Sequence, residues 1–518
     1  MTPDSSPSPW TQPRRVLPLL ALWLLATLGL RPLLLPDEGR YANVAREMLR
    51  SGEWLLPTLN GLPYFHKPPL MYWLEIAAMH VVGVTPFAGR FASMLGAWIM
   101  AATLFFAMRR WHGARAATTG LLLIASCPLF FLSGQYANHD MLVGALIGAA
   151  ILAFARAVDE PQGPLWAGAK TDLRWLVAGW VLCAFAMLAK GLIGFVLPAL
   201  VIGPWLLAHG RWRQMLKLLH PLGLLAFAAV AAPWFVAMQS RYAGFNDYFF
   251  MEQHFRRYAL TSFNNAHPFW FFIVVLPVLT LPWAAWLPAA LRRAWRQRTQ
   301  PMLGLYAWWV IAIVGFFSVP SSKLVGYVLP ALAPWCALLA LAVAGDAGDA
   351  GDHSAESRTP ARAPRAAFAI GVLICLGVVA GLAWKSPRSN RGAALALAAQ
   401  IAPDDKVVMV DEYFFDLPFY ADLKRPAIIA SGWDDPDLPK HDNWRKELHD
   451  AARFDPALGK QVLWPLARLD ELSCGLGAAW FVVSPADAKT RVAALAGAQR
   501  VYADANSELW RVPARTCP

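Results

Sequence analysis

The sequence predicts a polytopic α-helical membrane protein of about 11–13 transmembrane helices, followed by a small α/β domain outside the membrane. Three observations lead there. First, 57% of the 518 residues are hydrophobic and only 15% are charged, a balance that a soluble chain of this length does not carry. Second, apolar runs each about long enough to cross a ~30 Å hydrocarbon core recur along most of the chain. Third, the composition changes after Lys385, where short β-rich runs alternate with helix-like stretches.

The apolar runs fall near 17–35, 87–108, 116–134, 141–157, 175–190, 191–208, 218–238, 268–290, 302–319, 324–344 and 366–384. Proline-interrupted runs such as Leu276 to Pro288 and Leu329 to Ala344 allow the larger helix count. The 25 tryptophans serve mostly as interfacial anchors, and Trp10, Trp54, Trp111, Trp234, Trp270 and Trp286 stand at segment ends. The first 15 residues are polar and Pro/Ser-rich, and no small-residue cleavage site follows the first apolar run. That run is expected to stay as an uncleaved anchor.

Orientation follows from basic residues in short loops. By alternation, Arg14 and Arg15, Arg109 to Arg115, Lys170 and Arg174, Arg211 to Lys217, Arg292 to Arg298 and Arg358 to Arg365 share one side, which their excess marks as cytoplasmic. The loops around Asp37, Asp140, Met251 and Lys323, and everything beyond Lys385, then lie outside. The net charge of +12 is thus a topology signal, and nucleic-acid binding is not expected. This divides the chain into a membrane domain over 1–384, with a first outer loop at 36–86 and a Gly/Asp- then Arg/Pro-rich cytoplasmic loop at 346–365, and an outer α/β domain over 385–518. Within the first loop, the apolar stretch 70–82 reads as a helix lying along the interface. A crossing there would place Arg109 and Arg110 outside.

In the outer domain, Lys406 to Val410, Ala427 to Ile429 and Ala479 to Val483 read as strands. Cys127, Cys183, Cys336 and Cys375 lie in apolar spans, whereas Cys474 and Cys517, the two outer cysteines, could pair in an oxidising compartment.

The outer loops carry charge where a bilayer makes it costly. Asp37 and Glu38 leave the first helix side by side, followed by Arg40, Tyr41, Tyr64, His66 and Lys67. Asp140 closes an Asn-His-Asp run just past the third apolar segment, and Lys190 stands at another outer junction. The fourth outer loop holds Glu252, His254, Arg256 and Arg257, and the fifth holds Lys323 and Tyr327. Headgroup anchoring explains any one of these cations. Recurrence in four loops beside carboxylates favours a site for lipid phosphate, which Lys and Arg hold through charge-assisted hydrogen bonds.

With Asp37-Glu38, Lys67-Pro68-Pro69, Asn138-His139-Asp140, Ala189-Lys190-Gly191 and Ser322-Lys323 followed by Tyr327 and Pro330, the chain resembles the GT-C membrane glycosyltransferases. Within them it is most similar to the bacterial enzymes that transfer 4-amino-4-deoxy-L-arabinose to lipid A. The wider protein O-mannosyltransferase group shares the Asp-Glu loop. The resemblance implies a GT-C fold and an inner-membrane enzyme with its active site and C-terminal domain in the periplasm and its N-terminus in the cytoplasm. It implies an undecaprenyl phosphate-linked sugar donor, a lipid A phosphate acceptor and resistance to polymyxin.

The resemblance also assigns the catalytic acid to Asp37, with Glu38 beside it, and the donor phosphate to Lys67, Arg40 and Arg256 or Arg257. Asp140 joins the catalytic set. Tyr41, Tyr64, Lys190, Lys323 and Tyr327 complete the expected substrate contacts. Direct displacement inverts the anomeric carbon. Two roles stay open for Asp37. It takes a proton if the acceptor is a hydroxyl, or it orients the nucleophile or holds the sugar ammonium if the acceptor is a phosphate. No cofactor is required. A divalent metal such as zinc is a further possibility, on His66, Glu252 and His254, against the plain alternative of hydrogen-bonded histidines. A protein O-mannosyltransferase and a lipid transporter or flippase are the rival classes. The absence of a clear internal repeat, with the acids at helix exits, weighs against the transporter.

Overall fold

A computed structural model of the protein describes residues 12–518 apart from 160–170, 257–264, 346–361, 386–388, 441, 494 and 516–518. Most of the expected cytoplasmic loop at 346–365, with Arg257 and Cys517, therefore lies outside the described residues. Among those described, seven helices are long and apolar enough to cross a membrane. The count is eight if the pair Phe271–Leu279 and Trp283–Arg296, bent by 110°, forms one span. The larger number expected from apolar runs includes shorter and merged helices. The helix Pro13–Leu25 is only 13 residues long and ends at Leu25, well short of the end of the first run, and Ile193–Ala208 is interrupted by Pro198 and Pro204. The runs at 87–108 and 116–134 share one helical stretch, Phe91–Ala125, which breaks at Gly113 where φ is +86°. Glycine takes that backbone without a Cβ clash.

The helix His139–Ala157 forms the axis of the membrane part and is buried almost all round. Its 19 residues rise about 28 Å at ~1.5 Å per residue, close to the thickness of a hydrocarbon core. Asp140 stands at one end. At the other, Asp159 pairs with Arg110 at 3.0 Å and Arg156 at 3.5 Å. The acid that faces the outer loops and the cluster that faces the basic loops are thus separated by about one membrane.

The first outer loop is built, not slack. Helix Asp37–Ser51 begins after Pro36, places both acids in its first turn where the helix dipole favours them, and stops at Gly52 with φ +70°. A two-residue turn at Asn60-Gly61, both with positive φ, then joins Thr58–Leu59 to Leu62–Pro63. The Glu47 carboxylate pins that turn by accepting the Asn60 and Gly61 amides, each at 2.9 Å, and the Thr58 hydroxyl at 3.0 Å. The stretch 70–82 is helical over Leu70–Val82 and buries Met71, Tyr72, Glu75 and Met79.

The C-terminal domain, called the outer domain from its expected side, centres on a six-stranded mixed sheet in the order Leu463–Pro465, Ile428–Ser431, Lys406–Val410, Ala479–Val483, Glu508–Val512, Gln499–Ala503. The first three pairings are parallel and the last two antiparallel. Every residue of Ala479–Val483 is buried, as a central strand covered on both faces requires. The domain docks on the first loop through polar contacts. Asn60 exchanges two hydrogen bonds with the Ala427 backbone at 2.8 and 2.9 Å, Arg46 donates to the Leu423 carbonyl at 2.9 Å, and the Leu33 amide donates to the Tyr420 hydroxyl at 2.7 Å. Cys474 is disulfide-bonded, and the four membrane cysteines are free and buried.

Candidate functional site

Asp37 and Glu38 are neighbours in sequence with opposite surroundings. A helix turns its residues by about 100° each, so consecutive side chains leave on different faces. Glu38 points inward and is fully buried. It accepts from both Arg31 and Arg90, each in bidentate fashion, with Arg90 at 2.7 and 3.0 Å. The Leu34 and Ala137 amides, both at 2.9 Å, complete its set. Burial alone would raise this carboxyl, but the two guanidiniums hold it down to about 2. With both oxygens fully engaged, Glu38 holds the arrangement of an anchor, where the sequence led us to expect a second catalytic acid.

Asp37 keeps its carboxylate 29% exposed. It lies 3.6 Å from Arg40 and accepts from the Asn138 amide at 3.4 Å. Asn138 caps the next helix, its side chain accepting the Asp140 amide at 3.0 Å. Asp140 in turn forms an ion pair with Lys190. The Asn138-His139-Asp140 run therefore ties the partly exposed Asp37 and the buried Asp140 to one lysine. Between them, His139 is fully buried, with the rings of Tyr41 and Tyr72 edge-on at 4.6 and 5.4 Å.

Two cavities open on this cluster. The first, of about 340 Å³, is walled mainly by apolar side chains such as Ile193, Val196, Phe316 and Phe317. Lys67, Lys190 and Tyr327 supply its polar end, with the Lys190 ammonium 4.8 Å from the Tyr327 ring centre. The second, of about 700 Å³, lies between the first loop and the outer domain. Asp37 and Arg40 form its membrane side, and Glu412, Tyr413, Trp444 and Glu447 its outer side. Arg40 bridges the two, 3.3 Å from Glu447 and stacked 4.7 Å from the Phe415 ring centre. The segment 320–327 borders both cavities, through Tyr327 in one and Leu324 in the other.

The remaining expected site residues divide. Lys67, Lys190 and Tyr327 line the apolar cavity, and Arg40 the polar one. Tyr41 and Tyr64 are buried beneath the site, Tyr64 stacking on His66 at 4.7 Å. Lys323 is turned away, because its backbone amide bonds the Asn265 carbonyl. Its ammonium is buried against the His267 carbonyl at 2.9 Å and the Pro320 carbonyl. Arg256 is 63% exposed, pairs with Glu252 at 3.3 Å and lines neither cavity. The proposed metal ligands do not converge. His66 bonds the Tyr248 hydroxyl at 2.7 Å, and His254 bonds the Phe249 carbonyl at 2.7 Å and the Leu192 amide at 3.3 Å. No three His, Cys, Asp or Glu side chains form a metal-sized group among the described residues.

Sequence reasoning missed Arg31 and Arg90 as the partners of Glu38, and Glu412 and Glu447 as cavity walls. Arg31 beside the Asp-Glu pair was a usable signal. The other three come from distant chain, and no local pattern marks them.

The chain is similar to known proteins in three respects. A family described as dolichyl-phosphate-mannose-protein mannosyltransferase matches residues 66–236. The undecaprenyl phosphate-α-4-amino-4-deoxy-L-arabinose arabinosyl transferase 2 of Sodalis glossinidius is 36% identical over 324 residues, 62% of this chain and 58% of that protein. The corresponding transferase of Aeromonas salmonicida is 36% identical over 326 residues, again 62% of this chain and 57% of its own. The match thus spans under two thirds of those relatives' length. Crystal structures of ArnT from Cupriavidus metallidurans share the fold at 23% identity, with a TM-score of 0.82 bound to undecaprenyl phosphate and 0.78 in the apo state. Each comparison covers 97% of this chain and 98% of that one. The polytopic helical bundle with its outer α/β domain is therefore one fold, shared end to end.

Proposed function

We propose that this protein, built on the fold of the GT-C membrane glycosyltransferases, transfers 4-amino-4-deoxy-L-arabinose from undecaprenyl phosphate to a lipid A phosphate. The reaction takes place on the periplasmic face of the bacterial inner membrane and confers resistance to cationic peptides such as polymyxin. The observation that carries the reading is the apolar cavity that ends in Lys67 and Lys190 next to Asp140. An isoprenoid chain needs an apolar wall, and its phosphate needs cations at the end of that wall.

The displacement forms a bond from an acceptor phosphate oxygen to the anomeric carbon and breaks the bond to the carrier phosphate, with inversion. The carrier leaves as an anion, and Lys67 and Lys190 are placed to stabilise the charge it gains. The acceptor is already anionic, so no strong base is needed. Asp37 then serves to orient a substrate, with the exposure and the Arg40 and Asn138 contacts such a role needs. Lys67 and Lys190 replace the wider set of cations expected from sequence, since Lys323 and Arg256 face elsewhere.

The family match over 66–236 also admits a protein O-mannosyltransferase, with the same class of lipid-phosphate donor and a hydroxyl acceptor. Purified protein in nanodiscs, given the aminopentose donor and either lipid A or a Ser/Thr peptide, separates the two. Mass spectrometry should find one aminopentose added to lipid A, and addition only to the peptide would overturn the reading.

A further inference from the structure

The second cavity carries charge of the wrong sign for a phosphate. Among the described residues, Asp37, Glu412, Asp442 and Glu447 line it together with one cation, Arg40, which already pairs with Asp37 and Glu447. Acids alone do not make a site, but the cavity holds a second feature. Asn390 is 1% exposed and lines the same space. Its amide nitrogen donates to Asp416 at 2.9 Å, and its backbone amide donates to the other Asp416 oxygen at 2.9 Å, so the side chain is fixed in orientation. The Asn390 amide oxygen has no hydrogen-bond partner among the described residues. A buried acceptor left without a donor costs stability unless something fills the cavity. What fills it must bring donors and positive charge.

We infer that this cavity is the subsite for the ammonium-bearing sugar, with Glu412 and Glu447 of the outer domain facing the amine and the Asn390 amide oxygen accepting from an amine or hydroxyl. This rests on the proposed sugar transfer and adds to it the work of the outer domain, which selects the charge of the sugar. Glu412 has no ion pair or hydrogen bond among the described residues, and burial followed by the nearby Asp487 and Asp416 charges raises it above the usual carboxylate range. An arriving cation relieves that repulsion. The volume, about 700 Å³, sits within the range of small-molecule sites and is ample for a pentose. Trp444 and Tyr413 offer flat walls on which a sugar ring packs.

The test compares two donors on the full-length protein in nanodiscs, the aminopentosyl undecaprenyl phosphate and the same lipid with its amine acetylated. The wild type should prefer the free amine. Glu412→Gln and Glu447→Gln should each lower the ratio of kcat/KM between the two donors by about 10- to 100-fold, chiefly through KM for the amine donor. Glu412→Asp should restore part of the ratio. Binding of undecaprenyl phosphate alone to each variant reports that the fold and the apolar cavity are intact. If both donors fall in proportion, the acids are only structural and the inference is overturned. An equal wild-type rate on both donors overturns it too. If the wild type transfers neither sugar, the proposed function itself fails and the inference goes with it.

Discussion

Replacing Glu38 with Gln should unfold this protein more readily without touching the chemistry directly. The carboxylate is fully buried and receives two bidentate guanidiniums and two backbone amides. Its titration near 2 in the fold, against the ordinary 4.5, corresponds to about 3 kcal/mol of stability at neutral pH. Because the folded value is the lower one, that stability is present above pH ~4.5 and is lost as pH falls toward ~2. Breaking a buried pair by removing one partner independently suggests about 3–5 kcal/mol, since Arg31 and Arg90 stay behind without a counter-charge. Thermal unfolding in nanodiscs, followed by intrinsic tryptophan fluorescence, would read the loss. Asp37→Asn is the paired control, with near wild-type stability and little transfer. Glu75→Gln is the second control. Glu75 is equally buried, and its carboxyl is pushed well above the usual range by burial and then by the Glu38 charge, so its surroundings favour the protonated form that Gln mimics. That variant should leave the unfolding temperature almost unchanged. A Glu38→Gln protein as stable as the wild type but inactive would place Glu38 in the chemistry and refute the assignment.

Three further outcomes follow from the same geometry. Lys67→Ala should weaken undecaprenyl phosphate binding by about 10- to 100-fold, measured by isothermal titration in nanodiscs, and unchanged affinity would remove Lys67 from the phosphate site. Lys323→Ala should cost about 1–3 kcal/mol of stability by leaving the His267 and Pro320 carbonyls without their donor. Its KM for the donor should match the wild type, and a raised KM would restore Lys323 to the site. Gly326→Ala should lower kcat, because a Cβ at that position collides with the Asp140 carboxylate and pushes it off Lys190. Wild-type turnover in that variant would mean that the Asp140–Lys190 pair is not needed in its present place.

The sequence carried the class of fold and marked the Asp-Glu turn as a place of unusual charge, because hydropathy and the cost of charge at a helix exit are local properties. It carried the Leu70–Val82 helix and the strands around 406–410 and 479–483 for the same reason. It could not assign different work to Asp37 and Glu38. That division depends on Arg90, 52 residues away from Glu38. It also put Lys323 in the site, since nothing local reveals the Asn265–Lys323 backbone bond that turns the side chain away. Nor could it find Glu447, a residue of an ordinary amphipathic helix. Its place over Arg40 arises only because Asn60 and Arg46 dock the first loop on the outer domain.

The two cavities also constrain how a substrate can lie. A donor of the proposed kind is a dipole, with an ammonium on its sugar and a phosphate next to its lipid. One cavity is apolar and ends in lysines, the other is polar and rich in carboxylates, and the segment 320–327 borders both. Reversing the donor would set phosphate against carboxylates and ammonium against Lys67 and Lys190. Such like-charge placements cost several kcal/mol when desolvated. Only one orientation therefore satisfies both ends, and it brings the bond between sugar and phosphate to the Asn138-His139-Asp140 run that links Asp37 to Lys190. The buried Glu38 anchor holds one wall of this arrangement still, since the Ala137 amide it accepts belongs to the residue just before that run. On this view the acid pair divides its labour by helix geometry. Glu38 fixes the position of the loop, and Asp37, one residue earlier, keeps a partly exposed carboxylate for the substrate of the proposed transfer.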